Sequence, residues 1–212
     1  YKDRKVFETK RETGADYLII THDNFYKQAL DLAAWKERKG LKTRVVNTTQ
    51  INAAGPTAND ITTYIKNAYE TWNPAPTYVS LIGDSEFVPT HYGMVHPARS
   101  DNTLYHGGAH IATDLFYFTV DGADYFPDIF YGRLSVDTPG EAKTLIDKIL
   151  NYEQTPPVAA NFYDNVVSCS YFEDTRPQPP PPAPVGDGRE DFPFVLRVEN
   201  VSAYLQGQGY TV

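Results

Sequence analysis

The segment Thr77–Asp84, TYVSLIGD, constrains the fold of this 212-residue chain more than any other. Its apolar, β-forming residues make a nearly continuous run that ends at Gly83-Asp84. A run of this kind is typical of a strand buried on both faces, as in a parallel sheet covered by helices. We therefore predict a central strand over Thr77–Ile82. Functional groups gather at the carboxyl ends of such strands, which makes Asp84 the first candidate functional residue.

Strands and helices alternate along the chain before this segment. Asp16–Thr21 and Leu41–Asn47 are predicted strands. The spacing of apolar residues predicts helices over Phe25–Lys39 and Thr57–Trp72. The order strand, helix, strand, helix, strand predicts an α/β fold with a parallel sheet and right-handed crossovers.

After the central strand the sequence predicts a hairpin. Leu115–Val120 and Ile129–Leu134 are its predicted strands, and Asp121–Asp128 forms an acidic turn between them. Ala142–Tyr152 is a predicted helix. The segment Thr155–Ala160 has the composition of a linker and is the best candidate for a subdomain boundary.

A second group of elements follows the linker. Asn165–Ser170, NVVSCS, is a predicted buried strand, and Val195–Gln206 is a predicted helix. Between them, Pro177–Pro184 is predicted to be an extended surface loop. The last residues, Gly209–Val212, have the pattern of another strand beginning. We therefore predict one subdomain over 1–154 and an incomplete second one over 161–212.

Composition excludes several classes of function. The formal net charge of −8, with no basic run to offset it, argues against partners such as nucleic acid and anionic membranes. No apolar run is long enough to span a membrane. The single cysteine, Cys169, excludes an internal disulfide framework and a cysteine-based zinc site.

The thiol and the histidines do not form a catalytic or metal-binding pattern. Cys169 lies inside the predicted strand Asn165–Ser170, so we predict a structural core cysteine rather than a nucleophile. His106 and His110 are four residues apart, but Gly107-Gly108 between them argues against a helix that would place both on one face. We interpret the histidines as loop or surface residues.

The acidic turn permits two interpretations. Asp121, Asp124 and Asp128 lie within the eight residues between the predicted hairpin strands, and Asp84 ends a neighbouring strand. Repulsion among these carboxylates is relieved either by open water or by a cation. Oxygen ligands of this kind are those that calcium prefers. From the residues alone, a solvated hairpin tip and a calcium site both stay open.

Several segments resemble the gingipain-type cysteine peptidases. The similar strings are AAWKERKGLKTRVV, TANDITTYIKNAYE, TYVSLIGD, ADYFPDIFYGRLSVDT and NVVSCSYFE; they lie within Tyr17–Glu173, and the similarity resumes over Glu190–Thr211. The resemblance implies a caspase-like three-layer αβα fold with a mostly parallel sheet and two side-by-side subdomains. In this family the catalytic His lies in a His-Gly motif and the Cys follows a later strand, which would place both beyond Val212.

The same resemblance implies a calcium site. Its ligands would be the side chains of Asp84, Asp124 and Asp128, with the carbonyls of Asp121 and Phe126. In the family, the site joins the end of the central strand to the turn that follows.

Two further acids receive roles from the resemblance. Glu173 would hydrogen-bond the catalytic His, whereas from the residues alone it is a solvated loop acid. Asp191 corresponds to the region where Arg-cleaving members carry the carboxylate that receives the basic side chain of the substrate.

The implied function is that of a secreted or cell-surface cysteine endopeptidase, made as a zymogen, that hydrolyses peptide or protein substrates. The His–Cys dyad would be borne by a second chain or a C-terminal segment. The alternative is a non-catalytic caspase-like scaffold used for binding or secretion. A nucleotide-binding domain is disfavoured because the turns after Ile20 and Ile82 lack a Gly-rich phosphate loop.

Overall fold

Most strand residues in the described part of the chain belong to one parallel sheet. The computed structural model describes residues 12–93, 111–159, 161–172 and 193–212. The chain divides into two compact units, Tyr1–Gln154 and Thr155–Val212. The strands are β1 (Glu12–Thr13), β2 (Tyr17–Thr21), β3 (Thr43–Asn47), β4 (Trp72–Asn73), β5 (Tyr78–Ile82), β6 (His91–Gly93), β7 (Ile111–Thr113) and β8 (Phe130–Leu134).

The central sheet has the strand order β3-β2-β5-β8, and every neighbouring pair is parallel. In the register, Tyr78 lies beside Tyr17 on one side and Phe130 on the other. The predicted central strand therefore has a neighbour on each side, as its apolar run requires. Two small sheets complete the first unit: β1 pairs with β4 in parallel, and β6 pairs with β7 in antiparallel fashion.

Five α-helices lie in the described part of the chain. Two of the helices have side-chain N-caps. Asn47 is the N-cap of α2, and Thr57 is the N-cap of α3, where its side chain accepts a hydrogen bond from the N–H of Asp60. None of these helices combines the length and apolarity that a membrane crossing requires. The helices are α1 (Tyr26–Arg38), α2 (Thr48–Ile51), α3 (Ala58–Thr71), α4 (Pro139–Gln154) and α5 (Phe194–Gly207).

Two apolar cores lie on opposite faces of the central sheet. Leu18, Val79 and Leu81 face α3, whereas Ile19 and Ile82 face α1 and α4. This alternation within single strands is what burial of both faces requires. The predicted three-layer αβα architecture with a mostly parallel sheet is confirmed.

The predicted hairpin is wrong. Leu115–Tyr117 is a 3₁₀ helix, and β8 pairs in parallel with β5 rather than back on that segment. The consecutive residues Tyr117 and Phe118 are both fully buried in the core that contains α3. A 3₁₀ turn places two such neighbours on one side of the backbone, whereas a strand would direct them to opposite faces.

The predicted buried strand over Asn165–Ser170 is also wrong in this structure. The segment makes a single parallel bridge, from Asn165 to Thr211, and Cys169 is exposed. The described residues provide no sheet partner along the rest of this run, so its β-forming residues stay unpaired. The prediction that Cys169 lies in a core is corrected accordingly.

An ionic cluster joins α1 to α4. The carboxylate of Glu153 accepts hydrogen bonds from Trp35 Nε1 at 2.7 Å, Lys36 Nζ at 2.7 Å and Lys39 Nζ at 2.8 Å. Partial burial alone would raise the pKa of Glu153, but the bonds from Lys36, Lys39 and Trp35 together lower it to about 2.

This cluster predicts a pH dependence of stability. Because the folded-state pKa of Glu153 lies below its ordinary value, the ionised carboxylate stabilises the fold at neutral pH, and that stabilisation is lost as the pH falls from about 4.5 towards 2. We expect Glu153→Gln to lower the free energy of unfolding by about 1–2 kcal/mol at pH 7. In thermal melts, the difference in stability between the wild type and Glu153→Gln should shrink below pH 4.5. The control is Glu37→Gln, which changes an exposed residue of α1. A difference in stability between the wild type and Glu153→Gln that does not change with pH would contradict the prediction.

Candidate functional site

The carboxyl edge of the central sheet gathers polar residues from all four strands, among them Asp84, the first candidate from the sequence. All four strands run in the same direction, so the residues that follow them meet at one edge. His22 follows β2, Asn47 ends β3, Asp84 follows β5, and Asp137 follows β8. This edge is where α/β sheets place ligands and reactive groups.

Gly83 fits the tight turn at the end of β5. Its φ of +123° is a conformation that favours glycine. A Cβ at this position would lie 2.9 Å from the Cβ of Phe87 and 3.2 Å from a ring carbon of Phe25. The Gly-Asp string after the central strand therefore has a structural cause, because only glycine allows the turn that positions Asp84.

Asp84 lies in a network of its own loop and of the segment after β8. Its Oδ1 accepts the N–H of Glu86 at 3.0 Å, and its N–H donates to the carbonyl of Val136 at 3.3 Å. The neighbouring carboxyl group of Asp84 raises the pKa of Asp137, through hydrogen bonding to it and through its charge. Asp84 and Asp137 therefore lie close together, just beyond the C-terminal ends of the adjacent strands β5 and β8.

Arg133 fixes the loop that carries Asp84, a role that the sequence did not reveal. From β8 its Nη1 donates to the carbonyls of Gly83 and Val88, each at 2.8 Å, and to that of Asp84 at 3.2 Å. Its Nε and Nη2 form a bidentate pair with Asp114 at 2.8 and 2.7 Å. The only signal in the sequence is a lone arginine in the middle of a strand.

His22 is held by local contacts. Its Nδ1 accepts the N–H of Asn24 at 3.2 Å, and its ring lies 5.2 Å from that of Phe87. The first unit contains no cysteine, because Cys169 is the only one in the chain. The edge therefore offers carboxylates, an imidazole and backbone groups, but no thiol nucleophile of its own.

The acidic turn lies at the opposite end of the sheet. The Oδ2 of Asp128 accepts the N–H groups of Val120 and Asp121 at 2.8 and 2.9 Å, and the Oδ1 of Asp124 accepts that of Phe126 at 2.9 Å. These bonds organise the turn internally. They leave the second oxygen of Asp124 and of Asp128 without a hydrogen-bond partner among the described residues.

The structure does not bring Asp84 together with the turn. Asp128 precedes β8, whereas Asp84 follows β5, and these strands are parallel with Ile82 beside Leu134. Five residues of strand separate the two ends by roughly 15 Å. In the described ranges, no three acidic, histidine or cysteine side chains lie close enough to hold an ion. The five residues do not fit one shared calcium site, and no step proposed below uses calcium.

Calcium binding stays a proposal for the turn alone, through the side chains of Asp124 and Asp128 and the carbonyls of Asp121 and Phe126. We expect calcium to raise the melting temperature, by an amount equivalent to about 2.7 kcal/mol at one hundred times Kd. Asp124→Asn should abolish the shift and Asp84→Asn should keep it. Melting curves in EDTA and in calcium measure both. A shift lost only in Asp84→Asn, or no shift in the wild type, would contradict the proposal.

The remaining predicted site residues are not placed by the structure. Glu173 and Asp191 lie outside the described residues, as do His106 and His110. In the second unit, Cys169 lines a shallow apolar groove of about 350 Å³ with residues of α5. The sequence from Thr155 to Val212 contains no histidine, so this unit has no imidazole of its own to activate that thiol.

Comparisons with known proteins agree on one family. The model of the family described as Peptidase family C25 matches residues 10–208. The chain is similar to Gingipain R2 of Porphyromonas gingivalis, with 27% identity over 154 residues, which are 73% of this chain and 19% of that protein. The chain therefore spans about a fifth of the length of this curated relative.

Two solved structures are also similar. One is the crystal structure of the Arg specific cysteine proteinase gingipain R (RGPB), with a TM-score of 0.66, 22% identity, and coverage of 96% of this chain and 41% of that one. At this identity the similarity shows the fold. The other is a complex of the pro- and mature domains of RgpB from P. gingivalis, with a TM-score of 0.53, 27% identity, and coverage of 64% and 28%.

Proposed function

Because the chain belongs to peptidase family C25, a family of cysteine peptidases, we propose that it is the N-terminal part of the catalytic region of a cysteine endopeptidase. The match over residues 10–208 is the observation that carries this proposal, and it confirms the resemblance to gingipain-type enzymes. The whole protein would hydrolyse peptide bonds in peptide or protein substrates.

The proposed reaction uses a His–Cys dyad in a segment beyond Val212. The thiolate attacks the carbonyl carbon of the scissile bond, and the C–N bond breaks as the imidazolium donates its proton to the leaving amine. The resulting thioester is then hydrolysed: histidine takes a proton from water, the hydroxide attacks the carbonyl, and the C–S bond breaks to restore the thiolate. What supports this location is that the second unit holds no histidine and that the first unit holds no cysteine.

The chain would contribute the scaffold and part of the substrate groove. Arg133 ties the turn after β5 and Asp114 to β8, and precise placement of substrate is a large part of enzymatic rate enhancement. We assign Glu173 to orient the histidine of the dyad, as the resemblance implies. Asp191 is assigned to the wall that receives the substrate side chain.

The protein would be made as a zymogen and act outside the cell or at its surface. The complex between pro- and mature domains of the relative supports the first statement. The resemblance to gingipain-type peptidases supports the second. A second chain, or a C-terminal segment of the same chain, would carry the dyad.

Hydrolysis of an internally quenched peptide library by the full-length protein tests the proposal. We expect cleavage that a thiol-alkylating reagent abolishes and that Cys169→Ala leaves unchanged. Cleavage that survives alkylation would contradict a cysteine mechanism, and no cleavage after removal of any pro-segment would favour the non-catalytic scaffold.

A further inference from the structure

His91 joins the hairpin of β6 and β7 to the helix α3. It begins β6 and lies opposite Thr113 of β7 in the antiparallel register. Its Nε2 is 2.7 Å from the Oγ1 of Thr62 on α3, so the imidazole and the hydroxyl share a hydrogen bond. This bond connects two elements that are not neighbours in the chain.

The imidazole of His91 also packs against the 3₁₀ helix Leu115–Tyr117. Its ring centroid lies 4.8 Å from that of Tyr117 and 5.9 Å from that of Phe116. Tyr117 is fully buried in the core that contains α3, and its hydroxyl donates to the carbonyl of Pro89, just before β6. The imidazole is therefore part of the packing that holds the hairpin on this core.

The surroundings of His91 favour its neutral form. Burial of the ring lowers the pKa of His91 below its ordinary 6.5, and the charge of Asp114 opposes this effect. The Asp114 carboxylate already accepts two hydrogen bonds from Arg133 and one from the Thr90 hydroxyl. Tyr117 stays neutral at physiological pH, because burial raises the pKa of its hydroxyl. In the described part of the chain, Asp114 is thus the one charged group that acts on the imidazole.

This lowered pKa sets the direction of a pH dependence. When the hairpin opens, the ring meets water and regains its ordinary pKa. Between the lowered pKa and 6.5, the open form therefore binds more protons than the closed form. The stability of the closed hairpin is fully present above pH 6.5 and decreases as the pH falls through this range.

We propose that His91 is a pH-dependent latch, which holds β6 and β7 against α3 when its imidazole is neutral and releases them when it is protonated. The release is a local and reversible opening in mildly acidic solution. All the contacts that support it lie within the first unit, and the proposal does not depend on peptidase activity.

Backbone hydrogen exchange of the full-length protein, followed by mass spectrometry, tests the latch at about pH 7.5 and about pH 5. After correction for intrinsic exchange rates, the amides of β6 and β7 should lose protection, by up to about tenfold for each pH unit between 6.5 and the lowered pKa. His91→Phe keeps a ring at this position but takes up no proton, so it should remove most of this pH dependence. No loss of protection in the wild type, or the same loss in His91→Phe, would overturn the proposal.

The pKa of His91 can also be measured without any variant. Hydrogen exchange at the imidazole Cε1, followed by mass spectrometry over a range of pH, reports the pKa of each histidine separately. We expect a value below 6.5 for His91 in the wild type. A value of 6.5 or above would overturn the proposal.

Matched variants locate the latch. Thr62→Val removes the hydroxyl that meets His91, so the hairpin should lose protection already at about pH 7.5. The control is Thr63→Val on the same helix, where the hydroxyl donates to the carbonyl of Asn59, and it should leave the hairpin unchanged. His22→Asn keeps a side-chain acceptor and should retain the wild-type pH dependence. Equal protection in the two threonine variants, or a pH dependence lost in His22→Asn, would overturn the proposal.

Discussion

In the full-length protein, Glu173→Gln is expected to lower the kcat of the proposed peptidase activity by about 10²–10⁴-fold. An acid that hydrogen-bonds a catalytic histidine fixes its orientation and stabilises the imidazolium, and the range follows by analogy with serine-protease triads. Glutamine keeps the size of the side chain but not its charge. Steady-state kinetics on a cleaved peptide, with melting curves, provide the measurement.

The control for this prediction is Glu199→Gln, which removes an exposed carboxylate from α5 in the same unit. It should leave kcat within about twofold of the wild type, since surface substitutions away from a site have small effects. If Glu173→Gln also retains full kcat, Glu173 is an ordinary loop acid and its assigned role is wrong.

Arg133→Met is expected to destabilise the fold by about 3–5 kcal/mol. Removing one partner of a mostly buried ion pair leaves the other charge uncompensated, here Asp114, whose side chain is 17% exposed. The carbonyls of Gly83 and Val88 also lose their donor. Chemical denaturation of the wild type and the variant measures the difference.

Two further variants test whether the effect is specific to the guanidinium group of Arg133. Arg133→Lys keeps the charge but cannot reproduce the planar fork, so it should recover only part of the loss. Arg38→Met, where the guanidinium lies 5.2 Å from the Trp35 ring centroid, should cost about 1 kcal/mol or less. A loss below about 1 kcal/mol in Arg133→Met would show that the network does not hold the loop.

Much of the fold could be predicted because it depends on local apolar patterns. The run around Val79 and Leu81 is apolar on both faces, and the structure buries both faces. The segment around Tyr117 could not be predicted in this way. Its apolar residues suit a strand, but the position of the chain against α3 favours a 3₁₀ turn that buries two neighbours together.

The site was less predictable for two physical reasons. Grouping Asp84 with the turn came from the family resemblance, whereas the parallel pairing of β8 with β5 places Asp128 at the opposite end of the sheet from Asp84. Arg133 bonds mainly to backbone carbonyls, which every sequence has, so no pattern of side chains reveals its partners. Long-range pairing of this kind requires the three-dimensional structure.

The central claim is that the nucleophile is a cysteine beyond Val212 and not Cys169. A thiol-directed peptidyl acyloxymethyl ketone, reacted with the full-length protein and located by mass spectrometry, tests it directly. The reaction should be compared with and without an excess of peptide substrate. Substrate-protected labelling of a cysteine beyond Val212 is the predicted result. Substrate-protected labelling of Cys169, or no protected labelling at all, would contradict the claim.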